Sequence, residues 1–276
     1  MSDSSSVDEA WFAGGDAGPD RIRTGTASAP DRWPSLAVDE GFVADEATYF
    51  AELREAACDA ARREVAAREG ADDQQVIHAV RTIDDLDRIA NELAERVGEW
   101  GRTTGLGPAS TPDAVAELAS TDPATPIEAN IVALAEEVDH LLERRGDLVS
   151  TVERLMHDLA PNLTALAGPL LGARLIALAG GLEQLAKMPS STVQVIGAED
   201  ALFAHLRGEA PSPKHGIIFT HVYIRDTHPN DRGSAARALA GKLSIAARID
   251  HYAGDRRPEL ERELDDRIDR IQERSP

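Results

Sequence analysis

Two runs of apolar residues in this chain recur at alternating spacings of three and four. The first is Val76, Ala79, Ile83, Leu86, Ala90, Leu93, Val97 and Trp100. The second is Ile131, Leu134, Val138, Leu141, Arg145, Leu148, Val152, Leu155 and Leu159. Spacing of this kind gathers the side chains into one stripe on a helix, and a narrow stripe is buried only against another helix. Each run lasts about four heptads, long enough to read as a coiled coil. Residues 101–126 between them are rich in Gly, Pro, Ser and Thr. A link of that length lets the two helices fold back antiparallel, and a parallel coil between two chains is the alternative. Val76, Ile83, Leu86, Leu93, Val97, Ile131, Leu134, Val138, Leu141 and Leu148 are the expected residues of self-association. Arg145 interrupts the second seam, where a polar residue sets register more often than it forms a site. Thr111-Pro112 predicts one short helix inside the link, with a Thr cap before a proline at the first helical position.

The remainder also reads as helix. Alanine is abundant and aromatic residues make up 4%, a composition that favours helices over a large sheet. Residues 1–40 are rich in Ser, Gly, Ala, Pro and Asp and predict a loose, largely disordered lead with a short strand or two at most. Residues 45–68 turn helical, and Gly70 ends that segment. Pro161 closes the second heptad run. From 161 to 257 the pattern is that of a compact helical domain: residues 163–187, where Gly168, Gly172, Gly180 and Gly181 permit close helix approach, then helices over 193–206 and 234–249. Gly216-Ile217-Ile218-Phe219 is a short apolar run expected to be extended. Residues 258–276 form a charge-laced helix, with Leu260, Leu264, Ile268 and Ile271 at helical spacing and a solvated charged face.

Charge is distributed unevenly. The formal net charge is −20, from 49 Asp and Glu against 29 Lys and Arg. Between residues 214 and 248, however, six Lys or Arg face only Asp226 and Asp231, and four of the eight histidines lie between 211 and 251. A basic island in an acidic chain is the footprint of a surface that meets an anion, and a solvated helical face is the equally weighted alternative. An acidic surface with three lysines keeps a protein hydrated in molar salt, which predicts a halophilic source. The Debye length there is about 3 Å, so binding would depend on close contacts rather than long-range steering. Cys58 is the sole cysteine, which excludes a disulfide framework and a Cys-based zinc site. The N-terminus has neither a basic nor an apolar stretch of the secretory kind, and no run approaches 18 apolar residues. A cytoplasmic protein with no membrane partner is expected.

The sequence holds no G-x-S-x-G, H-E-x-x-H, G-x-x-x-x-G-K-[ST] or G-x-G-x-x-G at a strand-to-helix junction. His215 and His221 could hold a metal only with further ligands. No enzyme activity, cofactor or metal is expected.

The segments PNLTALAGPLLGARLIALAGGLEQLAKMPSSTVQVIGAEDALFAHL and SPKHGIIFTHVYIRD, followed by RGSAARALAGKLSIAARID, resemble the Nop domain nearly continuously over residues 160–250. GFVADEATYFAELREAACDAARREVA and IDDLDRIANELAERVGEW resemble the helical part and coiled coil of the archaeal members of that family. The resemblance implies a haloarchaeal scaffold of box C/D small ribonucleoproteins. Its fold would be mainly all-α: an antiparallel coiled-coil hairpin (71–160), a compact helical Nop domain (161–257), a charged C-terminal helix (258–276) and a shortened N-terminal region. Residues 41–70 would be the helical remnant of a fibrillarin-binding domain. The partners implied are a kink-turn guide RNA, a small ribosomal-type protein that binds the kink-turn, fibrillarin (the 2′-O-methyltransferase) and a second copy of the scaffold. The scaffold itself does no chemistry. Recognition of RNA shape and phosphates suits helical surfaces with a basic island.

Carried over residue by residue, the resemblance points to Lys187 in LAKMP, Lys214 and His215 in the P-K-H-G turn, Arg232 before its Gly, and Arg237, Lys242 and Arg248 on the last long helix. His221 and Arg225 of the same basic island complete the expected ribonucleoprotein-binding set. Arg237 and Arg248 have a second reading as ties within the domain. The chain departs from the family pattern at Asp200, in place of a lysine, and at Ala204, in place of an arginine. EWGRTTGLGPAS has lost the aromatic turn beyond the first coil helix, and most of the sheet-forming N-terminal half is absent. These departures put fibrillarin binding in most doubt. They leave an acidic Nop-fold adaptor that no longer supports methylation as the alternative.

Overall fold

The computed structural model describes residues 9–13, 18–25, 30–107 and 109–274. Among them the fold is 78% helical with no strand, so the all-α expectation holds and the strand expected in the lead is not found. The chain divides into two compact units, residues 1–71 and 72–276.

The first unit contains α1 (Gly18–Thr24), α2 (Trp33–Asp39) and α3 (Glu46–Glu69). Its core is aromatic. Trp11, Phe12 and Tyr49 are buried with Ala10, Ala37 and Val43, and Trp11 Nε1 donates to Tyr49 Oη at 3.2 Å. Phe12 stacks on Phe42 with ring centroids 5.1 Å apart. The loose lead expected over residues 1–40 therefore contributes Trp11, Phe12, Trp33 and Leu36 to a small core. Apolar side chains of this size outweigh the local Gly and Ser content. Residues 1–8, 14–17 and 26–29 of that expectation lie outside the described residues.

The second unit is built on the two heptad helices, α4 (Asp72–Thr104) and α6 (Pro126–Leu159). Residues early in α4 meet residues late in α6, and the order reverses along the pair. Val76, Val80 and Ile83 share a core with Val152 and Met156, while Ala94 and Val97 pack with Ile131, Ala135 and Val138. The hairpin is thus antiparallel and closes within one chain. Midway, Arg145 pairs across the seam with Asp87, so the polar interruption has a partner that matches the register. The link carries α5 (Pro112–Ala116), capped by Thr111 Oγ1, which accepts from Ala114 N at 3.3 Å. It folds back so closely that a Cβ on Gly98 would lie 1.9 Å from the Ala109 carbonyl oxygen.

The root of the hairpin runs directly into a helical bundle: α7 (Pro161–Ala167), α8 (Pro169–Ala179), α9 (Leu182–Lys187), α10 (Ser190–Val195), α11 (Glu199–Leu206), α12 (Val222–Arg225), α13 (Arg232–Tyr252) and α14 (Glu259–Gln272). Two expected continuous segments are broken. Residues 163–187 form three short helices, turned at Gly168 with φ +75° and at Gly180-Gly181 with φ +85° and +138°, a backbone region that L side chains rarely enter. Of the four glycines there, Gly172 serves close approach, facing Met156 and Leu163. Residues 193–206 divide at Gly197. Gly216-Ile217-Ile218-Phe219 is not extended: Ile217–Thr220 is a 3₁₀ turn with Ile218 fully buried. The C-terminal helix buries Leu260, Leu264, Ile268 and Ile271 in the main core, α13 being its chief neighbour. No single helix among the described residues is long and apolar enough to cross a membrane.

Buried polar groups lock this bundle. Asp250, near the end of α13, accepts from Asn162 N at 3.0 Å and Leu163 N at 2.8 Å, and so caps the first turn of α7 from across the core. Asn162, fully buried, donates through Nδ2 to Asp250 at 2.7 Å and to the Asp255 carbonyl at 2.9 Å. Its Oδ1 accepts from Arg257 N at 2.6 Å. Asp250→Ala leaves three buried donors with reduced or no pairing. It is expected to lower the unfolding free energy of this unit by about 3 kcal/mol in chemical denaturation; a loss below about 1 kcal/mol would show the network to be dispensable.

Candidate nucleic-acid interface

The basic island converges on the start of α13. The chain leaves α11 through residues 207–213 and enters a turn at Lys214-His215-Gly216. Gly216 N donates to the Gln194 carbonyl at 2.9 Å and Ile217 N to the Ile196 carbonyl at 2.8 Å. These bonds draw the turn so tightly onto the end of α10 that a Cβ on Gly216 would lie 1.9 Å from the Ile196 carbonyl oxygen. The 3₁₀ turn that follows presents Phe219. His215 stacks on that ring at a centroid distance of 4.5 Å and an angle of 21°. The Arg232 guanidinium sits 5.3 Å from the same centroid, close enough for a cation–π contact. The aliphatic stem of Lys214 lies against Gly233 at the first turn of α13. Lys214, His215 and Arg232, all among the expected binding residues, thus form one cluster around Phe219, which that set did not include. It lies in the apolar run expected to be extended and is partly buried.

Hydrogen bonds within the domain fix this cluster. Arg232 Nε donates to the Thr227 carbonyl at 3.1 Å and an Nη to the Arg225 carbonyl at 3.1 Å. Gln194 Nε2 donates to the Lys214 carbonyl at 2.7 Å. Burial, with Arg232 and Lys214 adding like charge, pushes the His215 pKa below 6.5. At neutral pH this ring is a stacking surface rather than a cationic phosphate donor.

The other expected residues are not part of the cluster. His221 caps α12, its Nδ1 accepting from Tyr223 N at 3.2 Å. Arg248 donates to the Ala186 carbonyl at 3.0 Å and the Met188 carbonyl at 3.1 Å, tying α13 to the end of α9. Lys242 pairs with Glu263 and ties α13 to α14. Each of these three thus has a partner within the fold. Lys187 is exposed and pairs with Glu183 one turn earlier at 2.6 Å. Arg225 pairs with Asp226 at 3.2 Å. Arg237 is exposed on another face of α13. His215 and His221 are offered no metal site: among the described residues no group of three His, Cys, Asp or Glu is placed to hold an ion. Among the expected self-association residues, Val76, Ile83, Val97, Ile131 and Val138 are fully buried in the seam of one chain, and the five leucines are partly buried beside it. The seam closes the hairpin within one chain, and the five leucines at its margin retain exposed surface.

Residues 77–273 match the family described as Nop, snoRNA binding domain, fibrillarin. The chain belongs to the Nop family. An uncharacterised NOP5 family protein of Methanocaldococcus jannaschii is 41% identical over 241 residues, covering 74% of this chain and 58% of that protein. Nucleolar protein 58 of Aspergillus terreus is 35% identical over 218 residues, 66% of this chain and 38% of that protein. The chain thus spans between about two fifths and three fifths of the length of these relatives. A chain from a crystal structure of a fibrillarin/Nop5p complex superposes with a TM-score of 0.56 at 25% identity, covering 95% of this chain and 98% of that one. The family match spans the hairpin, the bundle and α14 together.

The His221 cap gives a pH signature. Burial holds its pKa below the ordinary 6.5, against a smaller upward push from a hydrogen bond to the Leu166 backbone. The unfolded chain then takes up a proton at a pH where the folded chain resists it. This contribution to stability is complete above the unfolded value and is lost as the pH drops below about 6.5 toward the folded value. The melting temperature is expected to fall on acidification from about pH 7 to 5.5, and His221→Asn, which keeps a capping acceptor, to flatten that slope. An unchanged slope in the variant would remove His221 as its source.

Proposed function

We propose that this protein is the non-catalytic scaffold of a box C/D small ribonucleoprotein. It binds a kink-turn guide RNA already held by a small ribosomal-type protein, and it brings fibrillarin to that RNA for 2′-O-methylation of rRNA or tRNA. The observation that carries this reading is the convergence of Lys214, His215 and Arg232 on Phe219, inside the matched Nop region. Two cations and two flat rings on a fixed helical frame suit phosphate contact and base stacking on unpaired RNA. The division of labour follows the elements: residues 41–70 as the fibrillarin-facing remnant, 71–160 as the hairpin, 161–257 as the ribonucleoprotein-binding domain and 258–276 as its C-terminal brace. Self-association runs through the hairpin, whose seam leucines Leu86, Leu93, Leu134, Leu141 and Leu148 are only partly buried within one chain and whose Ile89 and Trp100 are exposed. The 49 acidic residues against three lysines support work in the salt-rich cytoplasm of a halophile.

The test is a gel shift in molar KCl with a box C/D guide RNA, with and without the small kink-turn-binding protein. A supershift that needs that protein is expected. Lys214→Glu and Arg232→Gln together are expected to weaken it by at least about tenfold, since charge-assisted contacts contribute about 1.5–3 kcal/mol each. Circular dichroism checks that the domain stays folded. Full assembly by the double variant would rule out this surface. A supershift without recruitment of fibrillarin would favour the adaptor.

A further inference from the structure

A second basic feature lies on α13, away from Phe219. Where α13 packs on α14, a cleft of about 300 Å³ is lined by Ser234 and Arg237 from one helix and by Arg267, Arg270, Ile271 and Arg274 from the other helix and its C-terminal turn. Arg267, Arg270 and Arg274 fall at spacings of three and four, so they stack on one stripe. That stripe flanks the buried one formed by Leu260, Leu264, Ile268 and Ile271. None of the described residues lining the cleft is acidic, in a chain with 49 carboxylates. On α14, Glu263 pairs with Lys242 and Asp265 accepts from Tyr223 Oη; Asp266, Asp269 and Glu273 adjoin the arginines in sequence but do not line the cleft. Arg270 Nε donates to the Asp266 carbonyl at 2.8 Å, which orients its guanidinium. Among the described residues none of the four arginines belongs to an ion pair, although seventeen such contacts link other groups. All four are exposed.

Like charges gathered in one cleft repel one another, and an anion between them relieves that repulsion. Guanidinium groups match phosphate oxygens with paired, planar N–H donors. Four of them exceed what a single phosphate needs, and the open cleft suits a chain of phosphodiesters. Arg237 lies five residues after Arg232 and, at 100° per residue, on a different side of α13. The two basic features are therefore separated by about the thickness of a helix, roughly 10–12 Å.

We propose that the Arg237–Arg267–Arg270–Arg274 cleft is a second RNA-binding site, which grips the phosphodiester backbone of the strand already held at Phe219. It reads charge rather than base sequence. This inference rests on the RNA reading above, and the experiment separates the two. The full chain and its Arg267→Gln/Arg270→Gln variant are titrated against the guide RNA bound to its small protein, across a KCl series. Both substitutions are at exposed positions, and circular dichroism checks the fold.

The variant is expected to bind about tenfold more weakly. Its plot of log affinity against log salt should be shallower by about 1–2, the loss of one or two phosphate contacts. Equal affinity and equal slope would overturn the cleft assignment, while a weakened Lys214→Glu control would leave the proposed function standing. Absence of RNA binding by the unsubstituted protein would overturn both. Calorimetric titration with inorganic phosphate distinguishes the remaining source. Phosphate binding lost in the variant, with RNA affinity unchanged, would make this a small-anion site and overturn the RNA assignment.

Discussion

The arrangement of the second unit depends on one buried pair, Asn162 with Asp250. Burying a carboxylate is costly unless its oxygens are hydrogen-bonded, and here they accept from two backbone amides and a side-chain amide. Those amides belong to the first turn of α7, whose leading N–H groups have no acceptor within the helix. Asp250 supplies that acceptor from near the far end of α13. Asn162 then reaches the loop 255–257, which sets where α14 begins. One contact therefore positions the exit of the hairpin, the long helix and the C-terminal helix together. α13 is the helix on which both basic features stand, so their spacing depends on this buried pair.

The same economy of polar atoms sorts the basic island. In a chain with so few lysines, each cation is either spent on a carbonyl or carboxylate inside the domain or left for solvent. Arg248 and Lys242 are spent, and Arg232 is shared: its nitrogens hold two carbonyls while its flat face remains near Phe219. His221 and His215 are separated by a single 3₁₀ turn. The first is a cap and the second a stacked ring, because only the second meets an aromatic partner edge-free and face-on.

Much of the fold was legible in the sequence because it is written in periodicity. The heptads of α4 and α6, the Thr111-Pro112 cap and the apolar stripe of α14 are local patterns, and each became the expected element. The breaks within 163–187 and 193–206 were not legible, because a glycine that permits close packing and one that turns the chain look alike until φ is known. The aromatic core of the first unit was hidden by composition: Trp11 and Phe12 stand in a Ser- and Gly-rich lead, and their partner Tyr49 lies 37 or more residues away on α3. In the candidate site, Lys214, His215 and Arg232 were found by charge and by resemblance. Phe219, which gathers them, was not, since its contact with Arg232 thirteen residues on leaves no sequence period. Arg267, Arg270 and Arg274 were read as one side of a charge-laced surface. That they line one cleft with Arg237 appears only when α14 lies on α13.

The lower part of the hairpin, up to Ile83 on one strand and down to Val152 on the other, shares its core with the bundle. The remaining helical turns of α4 to Thr104 project beyond that root by roughly 30 Å at 1.5 Å per residue. A lever whose foot is cemented into the wall cannot pivot without breaking the wall. Anything resting on its tip is thus held at a set span from the start of α13, and the arm works as a ruler between whatever meets its two ends.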